Sequence, residues 1–272
     1  MHVGRFRIDP VSDGSILAPA TAMFNKADPG DWAPHQQFLD DDGRLTFEMG
    51  GFLVRDGERT VLVDVGIGPH SDPSRTGTFM RSLADLGVER ADVTDVALTH
   101  LHFDHVGWAS DGENPLFPNA TYRCHRDDWD FFLGADPYDE SLGIALLGGQ
   151  PASDLLPSLR ERFETWSEDG PVLPGIDVRS APGHTPGSTV LTISSGADRA
   201  VLLGDVVHCP VELLEEDWEM IGDVDKDLAR RTRVALAREL EGTDVPAAAT
   251  HFPGLRFGRL LAGEGTRRWV FD

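Results

Sequence analysis

Six consecutive residues, His100-Leu101-His102-Phe103-Asp104-His105, carry three imidazoles and a carboxylate, and they follow closely on the apolar stretch Val93 to Leu98. A run of that kind reads as a buried strand. Strand side chains repeat every two residues, so His100 and His102 face one way, while a following turn can swing Asp104 and His105 toward a second position. One segment can therefore supply ligands to two adjacent metal ions. A lone histidine is more often ordinary polar surface, but four ligand-type side chains at this density point to a metal site. Any fold for this chain must bring further ligands to the end of that strand.

Three candidates stand where such a fold needs them. His184 lies in Ala181-Pro182-Gly183-His184-Thr185-Pro186-Gly187, a rigid turn before the strand-like Thr189 to Ile193. Asp205 ends the apolar run Ala200 to Leu203, with Gly204 allowing close backbone approach. His251 ends Ala247-Ala248-Ala249-Thr250 and precedes the strand stop Phe252-Pro253-Gly254. This is the placement required by a site along one edge of a sheeted scaffold.

With these residues in this order, the chain resembles the metallo-β-lactamase-fold hydrolase superfamily, whose signature is His-x-His-x-Asp-His followed by a distant His, Asp and His. Upstream, Gly50 to Val54 and Thr60 to Gly66, joined by the turn signal Asp56-Gly57, are similar to the family's opening hairpin. The resemblance implies an α/β fold, a four-layer αββα sandwich. It implies two divalent metal ions per chain, Zn(II) first, with Mn(II), Fe(II) or Co(II) as alternatives. His100, His102 and His184 would hold one ion and Asp104, His105 and His251 the other, with Asp205 bridging. Imidazoles and carboxylates suit such ions, and two of them about 3.5–4 Å apart can lower the pKa of a shared water toward ~7. The resulting hydroxide would attack a carbonyl or phosphoryl centre, with Asp104 orienting it or taking up a proton. Asp64, in Val63-Asp64-Val65-Gly66, either holds a ligand imidazole or merely caps its turn.

Departures from relatives narrow the expected chemistry. Class B β-lactamases usually carry Cys or His where Asp205 stands, and flavin-linked diiron relatives carry Glu where His102 stands. The segments His100 to Trp108, Ala181 to Ser188 and Thr250 to Leu260 are most similar to quorum-quenching N-acyl homoserine lactonases and methyl parathion hydrolase-like enzymes. Those lactonases place a Tyr three residues after the bridging Asp, where this chain has His208. Its imidazole either takes over the polarising or leaving-group role, as a second catalytic candidate beside Asp104, or is structural. The expected activity is hydrolysis of a small-molecule ester, foremost a lactone. Alternatives are a phosphotriesterase or thioesterase on the same metals, or a catalytically weak metal-containing protein that binds a small ligand.

The formal net charge of −22 disfavours nucleic acid and anionic membrane surfaces as partners, and with them a nuclease reading of the motif. Cys124 and Cys209 are expected as small core residues. The N-terminus lacks a signal-peptide pattern and no apolar run approaches ~18 residues, so the expected location is cytoplasmic. Ligands spread from His100 to His251 argue for one domain over residues 1–272. Helices are expected where Phe79, Leu83 and Leu86 share a face before Gly87, and where Leu228, Thr232, Ala235, Leu236 and Leu240 do so before Gly242. Two stretches are expected outside the ligand scaffold as a lid, a homodimer contact or plain packing. One, within residues 1–40, runs from Asp9 to Gln37; the other, within 133–170, runs from Leu133 to Trp166 and includes a helix starting near Pro157 with Leu159, Phe163 and Trp166 on one face. The aromatics Trp108, Phe131, Phe132 and Trp218 are expected in the core.

Overall fold

The structure, a computed structural model, describes residues 1–69, 77–263 and 265–272. Its described strands form two seven-stranded mixed sheets. The first runs in sequence order through β1 (His2–Val3), β2 (Phe6–Pro19), β3 (Arg44–Arg55), β4 (Thr60–Val63), β5 (Asp95–Ala97), β6 (Thr121–His125) and β7 (Phe163–Trp166). Its first three pairings are antiparallel and its last three parallel. The second comprises β8 (Gly170–Leu173), β9 (Ile176–Ser180), β10 (Thr189–Ser195), β11 (Asp198–Leu202), β12 (Ala247–Ala248), β13 (Gly258–Leu261) and β14 (Arg268–Phe271). Only β11 and β12 are parallel there.

Period-two patterning builds the layers. Along β3 and β4, Phe52, Val54, Val61 and Val63 point into a core shared with Leu191, Ile193, Ala200 and Leu202 of the second sheet. The intervening Leu53 and Leu62 point the other way, onto Phe79, Leu83, Trp129 and Phe132. In the second sheet Val190 and Val201 turn outward onto Leu236, Ala237 and Leu240 of the helix Lys226–Leu240. Three cores separating helix, sheet, sheet and helix make the expected αββα sandwich. Truncating Phe52, 1% exposed between the sheets, to alanine costs roughly 3–5 kcal/mol.

Several expected elements form as read. The hairpin β3–β4 turns at Gly57, whose φ of 94° belongs to the left-handed region. The helices Phe79–Asp85 and Lys226–Leu240 end just before Gly87 and Gly242, both at positive φ. Cys124 and Cys209 are buried free thiols. Phe132 and Trp218 are buried, whereas Trp108 and Phe131 are only partly so.

Two readings are corrected. Residues 157–166 are not one helix: a 3₁₀ segment, Pro157–Arg162, gives way to β7, paired with β6. Phe163 and Trp166 satisfy the edge of a parallel sheet, and Phe163 packs its ring on Trp129 at 4.6 Å, so tertiary pairing overrides helical spacing. Residues 9–19, expected outside the scaffold, belong to β2, which pairs with β3 from Arg7 to Pro19. Pro10 and Pro19 and the register shift at Ser12/Gly14 disguise that strand. Among the described residues no helix is long and apolar enough to cross a membrane.

Candidate metal centre

The ends of β4, β5, β11 and β12 and the start of β10 lie along one edge, because β4–β5 and β11–β12 are parallel and β10 runs against β11. The loops leaving that edge carry every candidate. His100 and His102 follow β5, and Asp104 and His105 enter the one-turn helix Phe103–Val106. His184 precedes β10, Asp205 follows β11 and His251 follows β12. Gly204, at φ 51°, sits against Thr99, where a Cβ would come within 2.8 Å of its side chain. Thr189 N donates to Thr99 O at 2.9 Å, tying the two sheets together beside the histidines.

The seven side chains converge. Nδ1 of His102 lies 3.0 Å from His100 Nε2 and 2.9 Å from His184 Nε2. Nε2 of His251 lies 3.1 Å from Asp205 Oδ2 and 3.6 Å from Asp104 Oδ2. Asp205 stands between the groups, with His100 Nε2 and His184 Nε2 at 3.7 and 3.5 Å from Oδ2 and His105 Nε2 at 3.2 Å from Oδ1. The buried trios His100/His102/His184 and Asp104/His105/His251 each turn ligand atoms to within 4.8 Å of one another. His208, outside the ligand series read from the sequence, belongs to a similar trio with His184 and Asp205, its Nε2 3.3 Å from Asp205 Oδ2.

Behind the imidazoles stand groups that aim them. Asp64 accepts from His105 Nδ1 at 3.0 Å and from the backbone N–H and hydroxyl of Thr99, both at 2.8 Å, so it does more than cap its turn. The Glu48 carbonyl faces His251 Nδ1 at 2.8 Å. Four further carboxylates carry no spacing signal in the sequence. Asp223 Oδ1 lies 3.2 Å from His184 Nδ1. Asp128 accepts from Leu101 N, Thr185 Oγ1 and Gly187 N, joining the His100/His102 loop to the His184 loop. Glu140 accepts from Phe103 N and Ala152 N, and Glu212 from the backbone N–H of His208 and Cys209.

The donor set fits cations. Burial first, and neighbouring imidazoles second, hold His100 and His102 well below the ordinary imidazole range, in the neutral form a ligand needs. At Asp205 burial pushes up, but His105, His251 and His208 together hold the carboxyl well below its usual range. His105 moves the other way, because Asp205, Asp64 and Asp104 outweigh its burial. His105 Nε2 and Asp205 Oδ1, 3.2 Å apart, lack the angles of a hydrogen bond and have no other partner though buried. Orphaned donors of this kind, and three imidazole nitrogens turned on one point, are costly unless cations lie among them.

The cluster forms the floor of a cavity of about 340 Å³. Met23, Phe47, Met49, Leu142, Leu146 and Met220 supply much of its wall. Leu142 and Leu146, one turn apart on the helix Ser141–Leu147, are 73% and 72% exposed, while Ile144 and Leu147 pack inward. Tyr138 also lines the cavity, its ring 5.9 Å from that of His102.

Comparison with known proteins agrees with this geometry. Residues 51–246 match the Metallo-beta-lactamase superfamily. The N-acyl homoserine lactonase AiiA of Bacillus thuringiensis subsp. kurstaki is 26% identical over 204 residues, covering 68% of this chain and 73% of the relative. Metallo-beta-lactamase domain-containing protein 1 of Xenopus laevis is 26% identical over 225 residues, covering 82% of this chain and 80% of its own. Among solved structures, AidC, a dizinc quorum-quenching lactonase in complex with a product, superposes with a TM-score of 0.84 at 25% identity, over 100% of this chain and 96% of that one. The hydrolase AbOPH shares the fold with a TM-score of 0.87 at 24% identity, over 99% and 95%. The chain belongs to the metallo-beta-lactamase superfamily and is a metallo-hydrolase of that fold.

Proposed function

We propose that this member of the superfamily hydrolyses a neutral small-molecule ester, foremost a lactone. His100, His102 and His184 would hold one divalent ion, Asp104, His105 and His251 a second, and Asp205 would bridge them. The observation that carries the reading is the convergence of seven ligand-type side chains, five of which (His102, Asp104, His184, Asp205 and His251) line the floor of a cavity with a largely apolar wall. That wall suits an acyl tail, and the net charge of −22 suits a neutral substrate better than an anionic one.

Bound ions of this class act as Lewis acids, acidifying water and polarising a carbonyl. The protein's own groups do the rest. Asp104 lines the cavity beside His251, where it can take a proton from the attacking water and return it to the departing alkoxide. His208 lines the same cavity with its ring stacked on His251, at 5.7 Å and 4° between planes. From there its Nε2 can donate to the acyl or leaving oxygen. In balance, the water oxygen bonds to the acyl carbon, the ring C–O bond breaks, and one water proton ends on the alcohol, giving a hydroxy acid. Phe47 and the helix Ser141–Leu147 exclude bulk water from one side, the lid role proposed for residues 133–170. The ligands draw on loops of both sheets, which supports residues 1–272 acting as one domain.

A screen of metal-loaded protein against lactones, aryl esters, thioesters and phosphotriesters tests this. A lactone should have the highest kcat/KM. Turnover of a thioester or phosphotriester tenfold above every lactone would replace the assignment, and binding without turnover of any class would leave a ligand-binding protein.

A further inference from the structure

The helix Lys226–Leu240 packs on the second sheet through Leu236, Ala237 and Leu240, and amid those apolar residues stands Arg233, 2% exposed. A guanidinium in such a position is strongly unfavourable unless every donor is matched. Here the matching has a direction. Nη1 donates to Asp223 Oδ2 at 3.1 Å, Nε lies 3.4 Å from Glu212 Oε1, and Nη2 donates to the Trp218 carbonyl at 3.1 Å. Each carboxylate turns its other oxygen to the centre. Asp223 Oδ1 meets His184 Nδ1 at 3.2 Å, and Glu212 Oε2 accepts the backbone N–H of His208 at 2.6 Å and of Cys209 at 3.1 Å. His184, held by its ring, and His208, held by its backbone N–H, have their rings 4.8 Å apart on adjoining sides of Asp205.

We propose that Arg233 is a positioning residue that fixes His184 through Asp223 and His208 through Glu212. The inference rests on the metal-binding role proposed for His184. Without the guanidinium, two buried carboxylates would repel each other and swing apart, and the His184 ring would lose the anchor that turns Nε2 toward the other ligands. Lysine cannot substitute, because a point charge lacks the planar fork that reaches both carboxylates and the Trp218 carbonyl.

The test measures Zn(II) affinity by chelator competition, with the melting temperature of the metal-free chain alongside. Arg233→Lys should weaken Zn(II) binding about 10–100-fold. Asp223→Asn should weaken it to a similar degree, and the two together should be no worse than the poorer single change, as expected of groups acting in series. Leu236→Ala, on the same buried face, should lower the melting temperature yet leave Zn(II) affinity within about threefold. Equal loss of affinity in Leu236→Ala at matched destabilisation, or wild-type affinity in Arg233→Lys, would overturn the proposal. Should Arg233→Lys not fold, Arg233→Met combined with Asp223→Asn and Glu212→Gln leaves no member of the trio charged. That triple variant should match the Asp223→Asn, Glu212→Gln pair, and a further tenfold loss would assign Arg233 to packing alone. A wild-type chain that binds no Zn(II) would instead refute the metal-centre reading and this inference with it.

Discussion

Replacing Asp64 in two ways should separate the two jobs of its carboxylate. It accepts from Thr99 N and Thr99 Oγ1 at 2.8 Å, from His105 Nδ1 at 3.0 Å and from Thr250 Oγ1 at 3.3 Å, on a backbone at φ 59°. Asp64→Ala strands the Thr99 N–H and the His105 Nδ1–H, whereas the threonine hydroxyls can rotate to other acceptors. At roughly 1–3 kcal/mol for each stranded donor, and roughly 1 kcal/mol for alanine in a left-handed conformation, the loss is about 3–7 kcal/mol. For a chain of this size that is roughly 6–28 °C in Tm. Asp64→Asn keeps the turn and one acceptor oxygen, but its amide nitrogen sets N–H against N–H at His105. The His105 proton must then move to Nε2, the nitrogen facing Asp205, and ligation there is lost. Metal affinity should fall about 10–100-fold, or roughly 1.4–2.8 kcal/mol, with little change in the melting of the metal-free chain. Thermal unfolding and chelator competition on both variants decide the matter. An Asp64→Asn protein with wild-type metal affinity would refute the tautomer argument.

Four shorter predictions accompany it. Elemental analysis after gentle purification should find close to two divalent ions per chain; a ratio at or below one after reconstitution with Zn(II), Mn(II) or Co(II) would contradict a paired centre. Asp205→Asn should abolish most hydrolysis and weaken both ions, since an amide is a poor bridge and removes a negative charge between cations; near-normal activity and metal content would exclude Asp205 as the bridge. His208→Ala should slow an alkyl lactone about 10²–10⁴-fold more than an activated aryl ester that needs no proton; equal losses with metals retained would mean that His208 only packs. At Asp13, burial outweighs four donors, from Phe79, Trp108, Gly68 and Ile67, and pushes the carboxyl up to about 6. A raised carboxyl pKa contributes stability that is complete below about pH 4 and lost as pH rises through the folded value, so the Trp108 indole N–H resonance should titrate with a midpoint near 6. A flat profile would contradict it.

The strands were legible wherever burial on one or both faces left a period of two or an unbroken apolar run, as in β3, β4, β10 and β11. They were not legible where proline and a bulge broke the pattern, as in β2, or where Phe163 and Trp166 sat three apart and mimicked a helix face before joining β6 as β7. Periodicity reports local geometry, while an edge strand is fixed by the partner that needs it. The same limit applies between Leu133 and Trp166, where the sequence shows an apolar run, Ile144-Ala145-Leu146-Leu147, but not the helix Ser141–Leu147 that carries it. Only the tertiary structure turns Leu142, Leu146 and Leu147 onto the cavity.

The site divides along a similar line. The ligand-type residues announce themselves because chemistry dictates both their type and their position at strand ends. The carboxylates behind them need only reach a ring nitrogen or a loop amide, which a side chain from any neighbouring element can do. Among 46 acidic residues, Asp128, Glu140, Glu212 and Asp223 have nothing in their local sequence to mark them. What marks them is burial, since a buried carboxylate persists only where donors compensate its desolvation. All four have histidine-bearing loops or rings among those donors: Asp128 at Leu101, Glu140 at Phe103, Glu212 at His208 and Asp223 at His184. Glu140 grips the same run at Phe103, between His102 and Asp104, and so ties the cavity wall to the floor. On the proposed metal-binding role, a change that loosens one of these carboxylates should therefore be felt first as a misdirected imidazole, in metal affinity and turnover, and only second as lost stability.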